Sequence, residues 1–168
     1  MKRDAKVLSA VGIAFSRVAY ALCQLACRAY RLTHSFVDRI ITIQHASPAM
    51  PHAPHELGKA GETAAADYFL AQGYEVLARG YRHGRAEVDL VLRQGAALLV
   101  FVEVKARSSV QFGTPETFVS ARKKELFRLA ATHLQEELDW CGDIRFDIVA
   151  LTLLTQGFRI EHFADAFY

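Results

Sequence analysis

A chain of 168 residues can bury one domain with a sizeable core, and its 52% hydrophobic content excludes a disordered or fibrous class. The formal net charge of +2 excludes polyanion binding through bulk charge. Residues 1–49 hold seven Lys/Arg against two acids, whereas from Met50 onward 13 basic residues face 16 acidic ones, so a nucleic acid would have to meet a local patch. Three cysteines (Cys23, Cys27, Cys141) without a CxxC spacing offer neither a disulfide framework nor a zinc-ligand set, which favours a reducing, cytoplasmic setting.

The first segment differs in kind from the rest. From Val7 to Leu32 it is rich in Ala, Leu and Val, with Arg17, Gln24, Arg28 and Arg31 near one helical face, which predicts a basic amphipathic helix. The charge-free runs Val7–Ser16 and Val18–Cys27 are each about half of the roughly 20 residues that span a bilayer. Lys2-Arg3 and the triplet Ala19-Tyr20-Ala21 resemble parts of a signal peptide, but Arg17 interrupts the apolar run and the helical pattern continues past the triplet. A helix lying on a membrane or a protein partner is equally compatible. So is a dispensable segment upstream of a start at Met50, which is the simpler expectation. Pro48, Pro51 and Pro54 mark residues 45–55 as a linker. The expected organisation is an extension over residues 1–49 and a domain over 50–168.

Within the domain, residues 58–72 read as a helix with Tyr68, Phe69 and several alanines on its packing face and Gly73 as its stop. Strands are expected over 74–81, 87–92 and 97–106, with Gly95 in the last turn. A longer helix over 116–138 has Phe118, Leu126, Leu129, Ala130 and Leu134 as its expected apolar stripe. Strands over 144–154 and 158–163 around Gln156-Gly157 close the chain. This order predicts one α/β domain, a mixed sheet with helices packed on it.

The strand LVFVEVKAR (Leu99–Arg107) carries Glu103 and Lys105 within an apolar run. Side chains alternate along a strand, so these two share one face while Val100, Val102 and Val104 take the other. Glu87 and Asp89 share a face of the preceding strand by the same rule. A two-residue loop would put Asp89 and Glu103 on opposite faces, whereas a three-residue loop at Gly95-Ala96-Ala97 pairs residue 94 with 98 and sets Asp89 across from Glu103. Directly opposed carboxylates repel, and a hard cation such as Mg²⁺ or the ammonium of Lys105 would relieve them. Two carboxylates, a backbone carbonyl and a lysine able to act on water form a kit for metal-assisted hydrolysis. Glu62, followed by Ala65, Ala66 and Phe69 at helical spacing, is expected to point toward the sheet as a third acid. The same alternation also describes a half-exposed strand with a solvated acidic face. Asp147, in RFDIV, is expected to pair with Arg145 on its own strand.

Several segments in unbroken order, GKAGETAAADYFLAQGYEVLARGYR, AEVDLVL, LVFVEVKAR, FGTPETFVSARKKELFRLAATHL, RFDIVAL and HFADAF, resemble the YraN family of small bacterial proteins over roughly residues 57–167. That family is regarded as a divergent branch of the PD-(D/E)XK nuclease superfamily, related in fold to archaeal-type Holliday junction resolvases. The resemblance implies a restriction-endonuclease-like mixed sheet flanked by helices, with the N-terminal helical extension outside the pattern. It implies Mg²⁺-dependent phosphodiester hydrolysis, with Mn²⁺ as a substitute and structured or branched DNA as substrate. Asp89, Glu103 and the Val104 carbonyl would hold the metal, Lys105 would act on the attacking water, and Glu62 corresponds to the acid of the first core helix. One departure is Ala86, where the family usually has glycine. Arg82, Arg85, Arg107, Arg122, Lys123, Lys124 and Arg128 are the candidate phosphate contacts. A homodimer is compatible with the pattern, and a non-catalytic nucleic-acid-binding module that kept the fold is the alternative function.

Overall fold

The computed structural model describes the backbone of residues 39–43 and the whole of residues 53–108 and 119–167. The described residues form a six-stranded mixed sheet in the order β1-β6-β5-β4-β3-β2. The strands are β1 (Arg39–Ile43), β2 (Glu75–His83), β3 (Ala86–Gln94), β4 (Leu98–Arg107), β5 (Asp143–Leu154) and β6 (Gly157–Phe163). Two helices pack on it, α1 (Pro54–Ala71) and α2 (Ala121–Glu137). All neighbours are antiparallel except β4 and β5, whose parallel pairing demands a crossover, and α2 lies within it.

Alternation along β4 assigns the faces. Leu98, Val100 and Val102 pack with Ala64, Ala65, Tyr68 and Phe69 of α1, whereas Leu99 and Phe101 pack with Phe127, Ala130 and Leu134 of α2. The sheet therefore separates two cores, and Glu103 and Lys105 fall on the α2 side by the same parity. Close approach of α1 to β4 depends on Gly61, where an added Cβ would stand 2.6 Å from the Ala106 Cβ.

Several boundaries differ from the sequence expectation. Helix α1 begins at Pro54, inside the expected linker, because proline suits the first helical turn and Glu56 accepts the Ala53 amide at 3.3 Å. Helix α2 begins at Ala121 and not at residue 116, since the Ser120 hydroxyl accepts the Lys123 amide at 3.3 Å and residues 119–120 are not helical. Its buried stripe is Phe127, Ala130, Ala131 and Leu134, while Leu129, expected inside, is 54% exposed. Ala130 and Leu134 are buried as expected and Leu126 packs against them, while Phe118 lies outside the described residues. Strand β1 lies upstream of residue 50 and pairs with β6 from Arg39↔His162 to Ile43↔Phe158. The expected amphipathic helix over 7–32 and most of the linker lie outside the described residues. Among the described residues no helix is long and apolar enough to cross a membrane.

Asp147 is fully buried on β5 and pairs with Arg145 as expected, through Nε–Oδ1 at 2.8 Å and Nη2–Oδ2 at 2.7 Å. His162 Nε2 lies 2.8 Å from Oδ2, and the Asp165 amide donates to Oδ1 at 3.0 Å. Burial alone would raise the Asp147 carboxyl, but the His162 hydrogen bond and the Arg145 guanidinium hold it below the ordinary value.

Candidate active site

The β3–β4 hairpin has the register that a three-residue loop dictates, with Gln94↔Leu98 and Leu90↔Val102 in line and Gly95 in the left-handed region at φ 58°. Paired residues run no further than Leu90↔Val102, and beyond that point the Val104 amide donates instead to Asp89 Oδ2 at 2.7 Å. The aspartate replaces a ladder acceptor.

The reason lies one strand further out. Val88 and Val91 both pack on the α2 side although they are three residues apart, while Leu90 and Leu92 pack on the α1 side. Strand β3 thus changes face across Asp89. Its facing residue between the pairs Arg79↔Leu90 and Tyr81↔Val88 is Gly80, at φ 59°. A left-handed residue breaks strand alternation, and glycine adopts it without steric cost. The kink aims the Asp89 carboxylate along the sheet toward β4.

Asp89, Glu103, Val104 and Lys105 line one open cleft of about 410 Å³ with Arg85, Glu87, Ser120, Arg122, Lys123 and Leu126. Glu103 is 1% exposed. Lys105 Nζ stands 2.5 Å from its Oε1, and Lys123 Nζ, arriving from α2, hydrogen-bonds Oε1 at 2.6 Å and stands 2.5 Å from Oε2. The Lys123 ammonium thus straddles the carboxylate and stands against both of its oxygens. Burial and the charge of Glu103 push the Asp89 carboxyl up from 3.8 to about 6, partly offset by the Val104 amide and Lys123, with Glu62 adding a smaller upward push.

The structure sorts the expected residues. Asp89, Glu103, Val104 and Lys105 come together. Glu62 is half-buried on α1 and does not line the cleft. Helix α1 packs on the opposite face of the sheet, so only the charge of Glu62 reaches Asp89. Among the described residues no group of three or more His, Cys, Asp or Glu is arranged around a common metal position. The protein donors available to a cation are therefore the two carboxylates and the Val104 carbonyl. All are oxygens, which suits a hard cation that keeps water or phosphate in its other positions.

Of the expected phosphate contacts, Arg85, Arg122 and Lys123 line the cleft. Arg82 is held by Glu87 at 2.8 Å, Lys124 lies 5.5 Å from the Phe167 ring centroid, and Arg107 and Arg128 are exposed away from the cleft lining. Ala86, the departure from the family pattern, is 2% exposed in the α2-side core and has no positive φ, so its methyl faces packing and not the cleft. Two contributors went unrecognised in the sequence. Lys123 was assigned to phosphate and not to Glu103, although a serine three residues ahead of it signals a first-turn position. Gly80, inside an expected strand, was a legible sign of a kink.

An α/β protein with two acids and two lysines gathered in a cleft at the splayed end of a parallel–antiparallel strand junction is the class that fold and site define. The chain matches the model of "Uncharacterised protein family UPF0102" over residues 61–151 and belongs to that family, the one reached above through the YraN resemblance. It is 38% identical over 126 residues to a UPF0102 protein of Chlorobium limicola, covering 71% of this chain and 97% of the relative. It is 40% identical over 114 residues to one of Christiangramia forsetii, covering 68% and 95%. A Flavobacterium johnsoniae UPF0102 protein is 41% identical over 118 residues, covering 68% and 95%.

Proposed function

We propose that the protein is a divalent-metal-dependent endonuclease acting on structured or branched DNA. The observation that carries this reading is the convergence of Asp89, Glu103, the Val104 backbone and Lys105 in one cleft flanked by Arg85 and Arg122. Opposed acids at the end of a strand pair weaken the fold unless the site uses them. A bound Mg²⁺ would supply Lewis-acid polarisation of a phosphoryl oxygen. Asp89 and Glu103 present oxygen donors to that ion, and the kink at Gly80 keeps Asp89 aimed at the cleft. Lys105, tethered to Glu103 on the same strand face, is 32% exposed along its side chain and projects its ammonium where an attacking water would be oriented. Arg85 and Arg122 at the rim would hold the DNA backbone by charge without reading sequence.

The test is cleavage of a panel of four-way, nicked and linear duplexes with Mg²⁺ or Mn²⁺ by the wild type and the Asp89→Asn/Glu103→Gln variant. Cleavage by the wild type alone supports the reading, and equal products from both proteins would trace the activity to a contaminant. A second reading, a nucleic-acid-binding module without catalysis, is favoured by one observation: two lysines already compensate Glu103, and among the described residues no third acid is arranged with the pair around a metal position. Binding across the panel without cleavage under either metal would establish it.

A further inference from the structure

Lys123 does not behave as a free phosphate contact. Its ammonium straddles the buried Glu103 carboxylate, 2.6 Å from Oε1 and 2.5 Å from Oε2, and so occupies the space a cation bound to this carboxylate would need. Lys105 reaches the same carboxylate from two residues along the strand. Among the residues lining the cleft, Glu87, Asp89 and Glu103 face Arg85, Lys105, Arg122 and Lys123, so a dication added to this set leaves an excess of three positive charges. A phosphodiester backbone is the counter-charge that would restore balance.

The lysine best able to yield is Lys123. Its backbone is fixed by the Ser120 cap, its side chain is 34% exposed, and its Nζ lies 5.7 Å from the Phe127 ring centroid, so only the flexible stem has to swing. We infer that Lys123 is a resident counter-ion at the Glu103 metal position, displaced when metal and DNA phosphate enter together, which makes divalent-cation binding depend on nucleic acid. The inference rests on the nuclease reading and adds regulation to it. Glu103 keeps its charge compensated in the absence of substrate, and the released ammonium becomes a phosphate contact in the same cleft. Metal and phosphate affinities are then reciprocally coupled.

Isothermal titration of the full chain with Mn²⁺ tests this, with and without a phosphorothioate duplex and with the duplex-alone titration subtracted. Wild type, Lys123→Met, Lys123→Arg and, as a matched charge loss on exposed α1 surface, Lys59→Met are compared. The duplex should tighten Mn²⁺ binding to the wild type by about tenfold, within the usual range of coupling between sites. Lys123→Met should bind Mn²⁺ about tenfold more tightly than wild type without the duplex and gain little from it. Lys123→Arg and Lys59→Met should follow the wild type. Equal Mn²⁺ affinity in wild type and Lys123→Met overturns the counter-ion role while leaving the metal site standing. No Mn²⁺ binding in any arm overturns the nuclease reading and this inference with it.

Discussion

Replacing Asp89 with asparagine separates the charge of that residue from its hydrogen bond. The asparagine Oδ1 can still accept the Val104 amide that Asp89 Oδ2 accepts at 2.7 Å, so the local backbone keeps its partner. What disappears is a carboxylate that the fold disfavours, raised from 3.8 to about 6 by burial and by Glu103. Taken at face value such a shift is worth about 3 kcal/mol, and partial solvent access reduces it to about 1–2 kcal/mol. The sign follows from the raised folded value. The ionisation penalty is absent below the unfolded carboxylate value, grows as pH rises from 3.8 toward 6, and is complete above that. Without metal at pH 7.5, Asp89→Asn should therefore be more stable than wild type by about 1–2 kcal/mol in urea unfolding, with the gain shrinking as pH falls below 6. With excess Mg²⁺ the order should narrow or reverse, because a ligand that binds only the native state adds about 2.7 kcal/mol at a hundredfold excess over its Kd. An Asp89→Asn protein less stable than wild type at pH 7.5 without metal would refute the reasoning, since the carboxylate would then be a structural asset.

Gly80→Ala meets no atom within 4 Å, so its cost should come from the left-handed backbone alone, about 1–2 kcal/mol in urea unfolding, together with a smaller Mg²⁺-induced stabilisation as Asp89 loses its aim. Asp147→Asn leaves the Arg145 guanidinium uncompensated in the core and should cost about 3–5 kcal/mol at pH 7. Because the Asp147 carboxyl is held below its ordinary value of 3.8, its contribution is complete above that value and is lost as pH falls through the folded one; urea unfolding at pH below 3.8 should show the gap between wild type and variant narrowing. Arg85→Ala and Arg122→Ala should each weaken DNA binding and lower the salt slope by about one counterion, whereas Arg82→Ala, whose guanidinium is held by Glu87, should change the slope less.

Strand parity on β4, a local period of two, was enough to place Glu103 and Lys105 on one face. The loop left two registers open, and it is the observed Gln94↔Leu98 pairing that brings Asp89 near them. The face change across Asp89 was not legible in that way, because it depends on the φ of Gly80 on a neighbouring strand, and alternation predicts a regular strand until such a residue is recognised. Glu62 illustrates the complementary case. Helical spacing set it beside the apolar stripe of α1, where it is half-buried, but spacing within one helix carries no information about which face of the sheet that helix covers. In α2, Ala130 and Leu134 were legible, but Leu129 is as apolar as Phe127, and only packing in the cluster with Phe101 and Phe146 decides which of them is buried. Strand β1 was hidden for a different reason: five residues beside a His- and Pro-rich stretch become a strand only when the β6 edge supplies their hydrogen-bond partners.

The central claim is that the Asp89–Glu103–Lys105 cleft performs hydrolysis and does not only hold nucleic acid. Single-turnover cleavage of a four-way junction with Mg²⁺ at saturating protein, paired with affinity for the same junction in Ca²⁺ at the same salt, tests it most directly on wild type and Lys105→Ala. Wild type should cut, while Lys105→Ala should bind within about threefold of wild type, as expected for loss of one phosphate-range charge among several, and leave the junction intact. Tight binding with no cleavage by the wild type, or a Lys105→Ala protein that cuts at the wild-type rate while its affinity collapses, would contradict the claim.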